Sequence, residues 1–353
     1  MTQHLDGERV LITGGTGSWG QEFTRQLLRS DSVREVRIYS RGEYHQVEMR
    51  REFRSESRLK FLIGDVRDKE RLSYAVRGVD TIIHLAALKH VPVVEEHLWE
   101  ALRTNTIGTQ HVVEVAQTHN VEGVLFVSSD KAVDPLNFYG ISKLAAERLV
   151  IGAGQDGSRT RFVVYRAGNV MGSAGSVIPV FQRQLLQHNM LTVTDPKMTR
   201  FFTRKGEVVR LAIQSLRRAV GGEIFIPMMK ATTLDLLMRV MINALGDDRT
   251  RVDRIDVRPG EKVAELLVSR NESSRTHELE ETWVVLPFFP SGALRARYEQ
   301  ARRALFDEYS SDNAPRFSYE ELEDLLREEG FLSHLVASPT GPLHFQKDGA
   351  VFH

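Results

Sequence analysis

The sequence predicts an α/β protein, a doubly wound parallel sheet followed by a smaller C-terminal α/β part. Three observations carry this. Short apolar segments alternate with amphipathic ones through the first half, the first of them runs straight into a glycine-rich turn, and the regularity loosens after about residue 170. The strand segments are 9–14, 35–40, 59–66, 81–87, 123–129 and 161–170, each apolar and bounded by Gly, Asp or Ser, as strands covered on both faces should be. Between them, 19–29, 45–54, 68–77, 99–119 and 139–153 place apolar residues at helical spacing. Farther on, 176–188, 204–219 and 233–245 read as helices and 222–227 and 252–257 as strands. Residues 271–282 read as a polar loop, with closing helices at 293–308 and in "YEELEDLLREEGF". The division expected is 1–170 for a nucleotide-binding domain, with part of 204–230 returning to it, 171–333 for a substrate region, and a 334–353 tail.

The chain of 353 residues carries 47 Lys+Arg against 47 Asp+Glu, so no basic excess points to nucleic acid or a membrane surface. It has no cysteine, which excludes disulfides and thiolate metal sites, and no metal site is expected. No signal peptide and no apolar run long enough to span a membrane is visible, so a cytoplasmic protein is expected.

"VLITGGTGSWG" follows a strand and opens a helix. Gly14, Gly17 and Gly20, with Gly15, satisfy the dinucleotide-binding spacing, and Thr16, Ser18 and Trp19 complete the turn. Glycines there allow a tight turn and close approach of backbone to a pyrophosphate, while the helix N-terminus supplies amide donors, the Rossmann arrangement. The end of the second strand selects the cofactor. It reads Tyr39-Ser40-Arg41, with no carboxylate for a ribose hydroxyl until Glu43. A hydroxyl and a guanidinium suit a 2′-phosphate, so NADP is favoured over NAD; Arg41 as an ordinary surface charge is the alternative. Asp65 and Val66 are expected by the adenine, and Ala86 and Ala87 along the pyrophosphate and ribose.

The stretch "SSDKAVDPLNFYGISK" (128–143) carries the chemistry. Tyr139 and Lys143 lie one helical turn apart, after Ser129 at a strand end. This pattern, behind a glycine-rich turn, resembles the extended short-chain dehydrogenase/reductase family. The resemblance implies that Tyr139 acts as base on a sugar hydroxyl, that Lys143 lowers the tyrosine pKa and holds the nicotinamide ribose, and that Ser129 bonds the same hydroxyl. Asp130 and Lys131 add more. A ketone formed by oxidation acidifies the neighbouring C–H, an amine can remove that proton, and a carboxylic acid can protonate a β-hydroxyl so that it leaves as water. A simple epimerase needs no such pair, although Asp130 as a turn cap and Lys131 as a solvated charge is the alternative.

The same stretch is similar to the S-T-D-K-A-x-x-P-x-N-x-Y-G-x-[ST]-K signature of the inverting UDP-N-acetylglucosamine 4,6-dehydratases, with Ser129 for Thr. Further matches follow in order, among them "AALKHVP" (86–92), "GNVMGSAGSVIPVF" (168–181), "TDPKMTRFF" (194–202) and "RPGEK" (258–262). The resemblance implies a tightly bound NADP that takes hydride from C4 of a UDP-sugar and returns it to C6. Between those events Lys131 would abstract H5, Asp130 would protonate the departing 6-OH, and C5 would be reprotonated from the opposite face. It also implies that Asn169 bonds the diphosphate, that Arg200 and Arg258 serve its phosphates and Glu261 the uridine ribose, and that Lys89 with His90 faces the sugar. Val177 and Thr194, within the matching segments, join the substrate-binding set. Singly, Arg200 and Arg258 could be ion-paired surface charges, and His90 a structural residue. By the same resemblance the partners are a UDP-sugar and further copies of the chain, as a dimer or higher homo-oligomer built on 99–119 and 139–153.

Departures from the family pattern cluster near the nucleotide-sugar site. They are Ala174 for Arg, Ala167 for Tyr, Ala264 for His and Met228 for Lys, with Gly42 for Asp near the cofactor. A homologue acting on a different UDP-sugar would show this pattern. The alternatives to a dehydratase are a UDP-sugar C4 or C5 epimerase on the same fold and a non-catalytic NADP-binding protein. The latter has no use for the set Ser129, Asp130, Lys131, Tyr139 and Lys143.

Overall fold

The computed structural model describes residues 7–29, 33–54, 56–155, 158–173, 176–257 and 260–333. Arg258 and the tail 334–353 lie outside the described residues. The first wind runs β1 (Arg9–Thr13), α1 (Ser18–Arg29), β2 (Glu35–Ser40), α2 (Glu43–Glu52), β3 (Leu59–Ile63), α3 (Lys69–Val76) and β4 (Thr81–His84). Short helices α4 (Val91–Glu96) and α5 (Leu98–Ala101) lead through a π-helical turn, Leu102–Ile107, into α6 (Gly108–Thr118). Then come β5 (Gly123–Ser129), α7 (Phe138–Gln155), β6 (Arg161–Ala167), β7 (Asn169–Val170), α8 (Val177–His188), β8 (Met190–Val193), β9 (Thr199–Thr203), α9 (Lys205–Arg218) and β10 (Ile224–Pro227). The chain continues with β11 (Lys230–Thr233), α10 (Leu234–Leu245), β12 (Arg251–Arg254), β13 (Leu266–Val268), α11 (Arg270–Ser273), β14 (Thr276–Leu279) and β15 (Thr282–Val285). It closes with α12 (Gly292–Tyr298), β16 (Tyr309–Ser310) and α13 (Tyr319–Glu328).

The large sheet has nine strands in the order β14-β15-β10-β6-β5-β4-β1-β2-β3, parallel from β10 to β3. Strand order reverses between β1 and β4, which opens a crevice at their carboxyl ends, the place where such sheets bind ligands. Side chains alternate along each strand, so the sheet has two cores. Leu11, Ile82, Phe126 and Val164 pack under α3, α6 and α7, while Val10, Ile12, Ile83 and Leu125 pack under α1, α2, α9 and α12. A third core gathers Phe181 and Leu185 of α8, Leu237 and Met241 of α10, and Leu322 and Leu326 of α13. It lies with a three-stranded sheet, β11-β9-β7, and a two-stranded one, β12-β8.

Several expectations are corrected. The segment 271–282 is no loop: it holds most of α11, strand β14 and the start of β15, an antiparallel hairpin that extends the large sheet. The helix expected at 293–308 stops at Tyr298, because the edge of β14 captures the chain beyond it. Glu278 N donates to Arg302 O at 2.7 Å and Ala304 N to Thr276 O at 2.9 Å. The strand expected at 161–170 breaks at Gly168, and its last two residues pair with β9 in the smaller sheet. Strands expected to reach 66 and 87 end at Ile63 and His84, and the short strand expected at 252–257 spans 251–254. The helix expected at 99–119 is interrupted by the π turn, where Asn105 turns inward to bond the Leu88 backbone through both its amide nitrogen (2.9 Å) and its oxygen (2.8 Å).

One buried ion cluster ties α11 to β6 and α7. Arg166 at the end of β6 bonds Glu147 of α7 at 2.7 and 3.0 Å and Glu272 of α11 at 2.9 and 3.0 Å, and donates to Leu267 O at 2.9 Å. Burial opposes the Glu272 charge, but Arg166 holds its carboxyl at about 2. Removing Arg166 strands two buried carboxylates, so Arg166→Leu should cost about 3 kcal/mol and lower the melting temperature by roughly 4 °C. A melt within about 2 °C of wild type would contradict this.

Candidate active site

A cleft of about 710 Å³ opens over the carboxyl ends of β1, β2, β4, β5 and β6. Gly14 enters it with φ +66, and a Cβ there would stand 2.8 Å from Ala86 N, so the turn after β1 packs directly against the strand β4 exit. That contact is held from below by His84, whose ring meets Thr13 Oγ1 at 2.6 Å and Thr109 Oγ1 at 3.0 Å. Burial, helped by the Lys143 charge, drives the His84 pKa down to about 3, so the ring is a neutral structural linker. The cleft wall then runs through Thr16, Gly17, Ser18, Trp19 and Gly20, with α1 beginning at Ser18. Ser40, Arg41, Asp65, Val66, Ala86 and Ala87 line it as well. Arg41 is half-exposed, 4.0 Å from Asp65. Asp65 itself is gripped by Arg67 at 2.6 Å, which keeps its carboxyl below the usual range although burial works the other way. Two hydroxyls on this wall, Thr104 and Ser128, are buried without a partner among the described residues. A positive-φ glycine turn at a helix start, a basic β2 end and unsatisfied donors along the wall fit a nicotinamide dinucleotide.

The catalytic stretch folds as a tight unit at the end of β5. Ser129 caps a single 3₁₀ turn, Asp130–Ala132, its side chain accepting from Lys131 N at 3.3 Å. The start of α7 lies so close to this turn that a Cβ on Gly140 would stand 2.1 Å from the Lys131 carbonyl oxygen. Glycine after Tyr139 therefore lets the helix bring the phenol to the turn. Ser129 Oγ donates to Asp130 Oδ1 at 2.8 Å, and Lys131 Nζ lies 3.2 Å from the same oxygen. Burial raises the Tyr139 pKa, and the cation that opposes it is Lys131, assisted by the Ser129 hydroxyl. Lys143 Nζ donates to Val127 O at 2.7 Å and sits 3.9 Å above the Phe126 ring. Burial brings the Lys143 pKa down to about 7, against the pull of Glu147.

Lys131 also reaches a residue that the motif did not single out. Its Nζ is 3.3 Å from Glu265 Oε1, and Arg200 Nε is 3.9 Å from the same oxygen. Arg200 bonds Thr199 O at 2.8 Å, Val263 O at 3.2 Å and Glu261 Oε1 at 3.3 Å. A charge chain thus runs Asp130, Lys131, Glu265, Arg200, Glu261. Burial works against the Lys131 charge, yet Asp130 and Glu265 outweigh it and raise its pKa.

Of the sites expected for substrate, Lys89 and Asn169 line the cleft together with the catalytic residues Ser129, Lys131, Tyr139 and Lys143. Asp130 is buried just beneath it. Arg200 and Glu261 lie in the charge chain behind Lys131 rather than on the cleft wall. Val177 opens α8 and Thr194 follows β8, both off the wall. Among the described residues no cluster suited to a metal ion occurs, and no helix is long and apolar enough to cross a membrane. Sequence reading passed over His84, Asn105 and Glu147. Glu147 had a signal, since it continues the Tyr139, Lys143 series by one more turn on the same helix face.

Residues 10–287 match the family described as polysaccharide biosynthesis protein. A UDP-N-acetylglucosamine 4,6-dehydratase (inverting) from Campylobacter jejuni is 38% identical over 341 residues, covering 93% of this chain and 100% of that one. A UDP-glucose 4-epimerase from Rickettsia bellii is 37% identical, covering 90% and 94%. Among solved structures, Pen from Bacillus thuringiensis superposes with a TM-score of 0.86 at 38% identity over 93% of this chain and 99% of its own. A dTDP-glucose 4,6-dehydratase from Streptomyces venezuelae, solved with NAD bound, gives 0.67 at 26% identity over 72% and 86%. The doubly wound sheet agrees with these likenesses, and the chain belongs to the inverting UDP-N-acetylglucosamine 4,6-dehydratase family of extended short-chain dehydrogenases/reductases.

Proposed function

We propose that the protein is an NADP-dependent, C5-inverting 4,6-dehydratase acting on UDP-N-acetylglucosamine or a close UDP-sugar. The observation that carries this reading is the Asp130–Lys131 pair, 3.2 Å apart at the end of β5 and joined to the same turn as Tyr139. A nicotinamide dinucleotide held by the turn at Gly14 and Gly17 and by the cleft wall would supply the redox chemistry, hydride removal at C4 and hydride return at C6. Tyr139 takes the 4-OH proton, with Ser129 holding the hydroxyl. The ketone at C4 acidifies H5. One proton passed from Lys131 to Asp130 across their contact makes an amine base and a carboxylic acid together. Lys131 then removes H5, the electron pair forms the C5–C6 double bond as O6 departs, and Asp130 gives its proton to O6, which leaves as water. Both residues return to their starting charges; hydride return to C6 leaves the electron pair at C5, which takes a solvent proton on the opposite face, and Tyr139 releases the 4-OH proton to solvent. Lys89 and Asn169 on the cleft wall are placed for the sugar and diphosphate.

NADP over NAD rests on Ser40 and Arg41 at the end of β2, where no carboxylate meets a 2′-hydroxyl. Arg41→Ala is expected to weaken NADP binding about tenfold while changing NAD binding less than about twofold, measured by calorimetric titration. Equal weakening of both would assign Arg41 to the pyrophosphate or to the surface.

The epimerase reading is favoured by one observation, the likeness to a UDP-glucose 4-epimerase at 37% identity. The two readings separate when purified protein is offered UDP-N-acetylglucosamine and UDP-glucose in turn and the products are weighed. Loss of one water supports the dehydratase; an isomer of unchanged mass supports the epimerase.

A further inference from the structure

We infer that Glu265 is a positioning residue of the elimination step: from a separate segment of the chain its carboxylate holds the Lys131 amine in place and offsets the ammonium that forms when H5 is taken. The inference rests on the dehydratase reading. Glu265 is buried, and its Oε1 meets Lys131 Nζ at 3.3 Å while its Oε2 has no partner among the described residues. A carboxylate this buried and this poorly bonded costs stability, and an apolar residue would serve the fold at least as well. Its mount is nevertheless rigid. Glu265 N donates to Ser311 Oγ at 2.9 Å, Ser311 N donates back to Glu265 O at 2.8 Å, and Ser311 Oγ reaches Thr199 O at 3.0 Å. Such backing is what holding a reacting group to a fraction of an ångström requires.

The chemistry gives the carboxylate its use. A neutral amine has two N–H bonds and one lone pair, so an acceptor fixed on one N–H limits where the lone pair points. Asp130, once protonated, no longer balances charge at Lys131. Glu265 is then the anion in contact with Lys131 as the amine takes up H5, and in a buried site that proximity counts for far more than in water. The other charged and titratable groups bearing on Lys131 are Tyr139 from α7, Arg200 from β9 and Lys262; the two cations limit how strongly the carboxylates hold the ammonium.

The test uses the full chain as wild type, Glu265→Gln and Glu265→Asp, with melting curves for each. With UDP-N-acetylglucosamine, Glu265→Gln should lower kcat for water loss about 100-fold with KM changed less than about threefold, and Glu265→Asp, which keeps the charge, should recover about tenfold of that loss. Equal losses in both variants, or a raised KM at unchanged kcat, would overturn the inference. A second readout needs no turnover. Acetylation of Lys131 by acetic anhydride, followed by peptide mass spectrometry at one mildly alkaline pH, should be about tenfold faster in Glu265→Gln, since losing an anion makes the ammonium easier to deprotonate. An unchanged rate overturns the grip of Glu265 on Lys131. If Glu265→Gln does not fold, Glu265→Asp decides alone: kcat about tenfold below wild type at constant KM is expected, and wild-type kcat overturns. A wild-type protein that releases no water overturns the dehydratase reading itself, and the acetylation rates then judge the contact separately.

Discussion

Lys131→Ala should lower the rate of water loss about 10³-fold, the middle of the range one acid–base residue contributes. The Lys131 amine serves both halves of the elimination. Without Nζ, Asp130 has no proton donor from which to become an acid, and H5 has no base. Asp130 and Glu265 would also be left as two buried carboxylates without the cation between them, which destabilises the turn. Oxidation at C4 uses Tyr139 instead, so hydride removal from C4 should persist in the variant. The assay is mass spectrometry of the UDP-sugar after long incubation. Undiminished water loss from Lys131→Ala would remove the residue from the mechanism.

Tyr139→Phe is expected to lower every reaction at the sugar by about 10³-fold, C4 oxidation and dehydration alike, because the phenol handles the first proton. The phenol is nearly buried, and burial alone pushes its pKa up. What counters this is the Lys131 charge and the Ser129 hydroxyl. The two catalytic pairs are therefore electrically joined: Lys131, assigned to the elimination, also bears on the base for the oxidation. The single-turnover rate of C4 oxidation, compared across pH for wild type and Lys131→Met, checks the coupling. Losing the cation should shift the Tyr139 limb to higher pH. A limb that stays in place would return that role to Lys143 alone.

Much of this site could be read from residues alone because its motif is contiguous. Ser129, Asp130, Lys131, Tyr139 and Lys143 fall within one strand, turn and helix start, so local spacing places them. Glu265 could not be placed in this way: it comes from 134 positions beyond Lys131 and meets it only through the tertiary fold. The hairpin at 276–285 was missed for another reason. Its two-residue turn is Glu280-Glu281, with Glu280 at φ 52, where Asn or Gly is the usual signal. The preceding helix α11 did have a readable start, the capping box of Ser269 and Glu272, hidden in a polar run. The early end of α12 was not legible at all, since its cause is the edge of β14 and not the helix-compatible sequence after Tyr298.

The most direct test of the central claim is to incubate the wild-type protein with UDP-N-acetylglucosamine in deuterated water and read the product by mass spectrometry and proton NMR. The expected product has lost one water, is a 6-deoxy-4-keto sugar, and carries one deuterium at C5. A sugar that keeps its water, whether unchanged or isomerised, would contradict the assignment of Asp130 and Lys131 to an elimination.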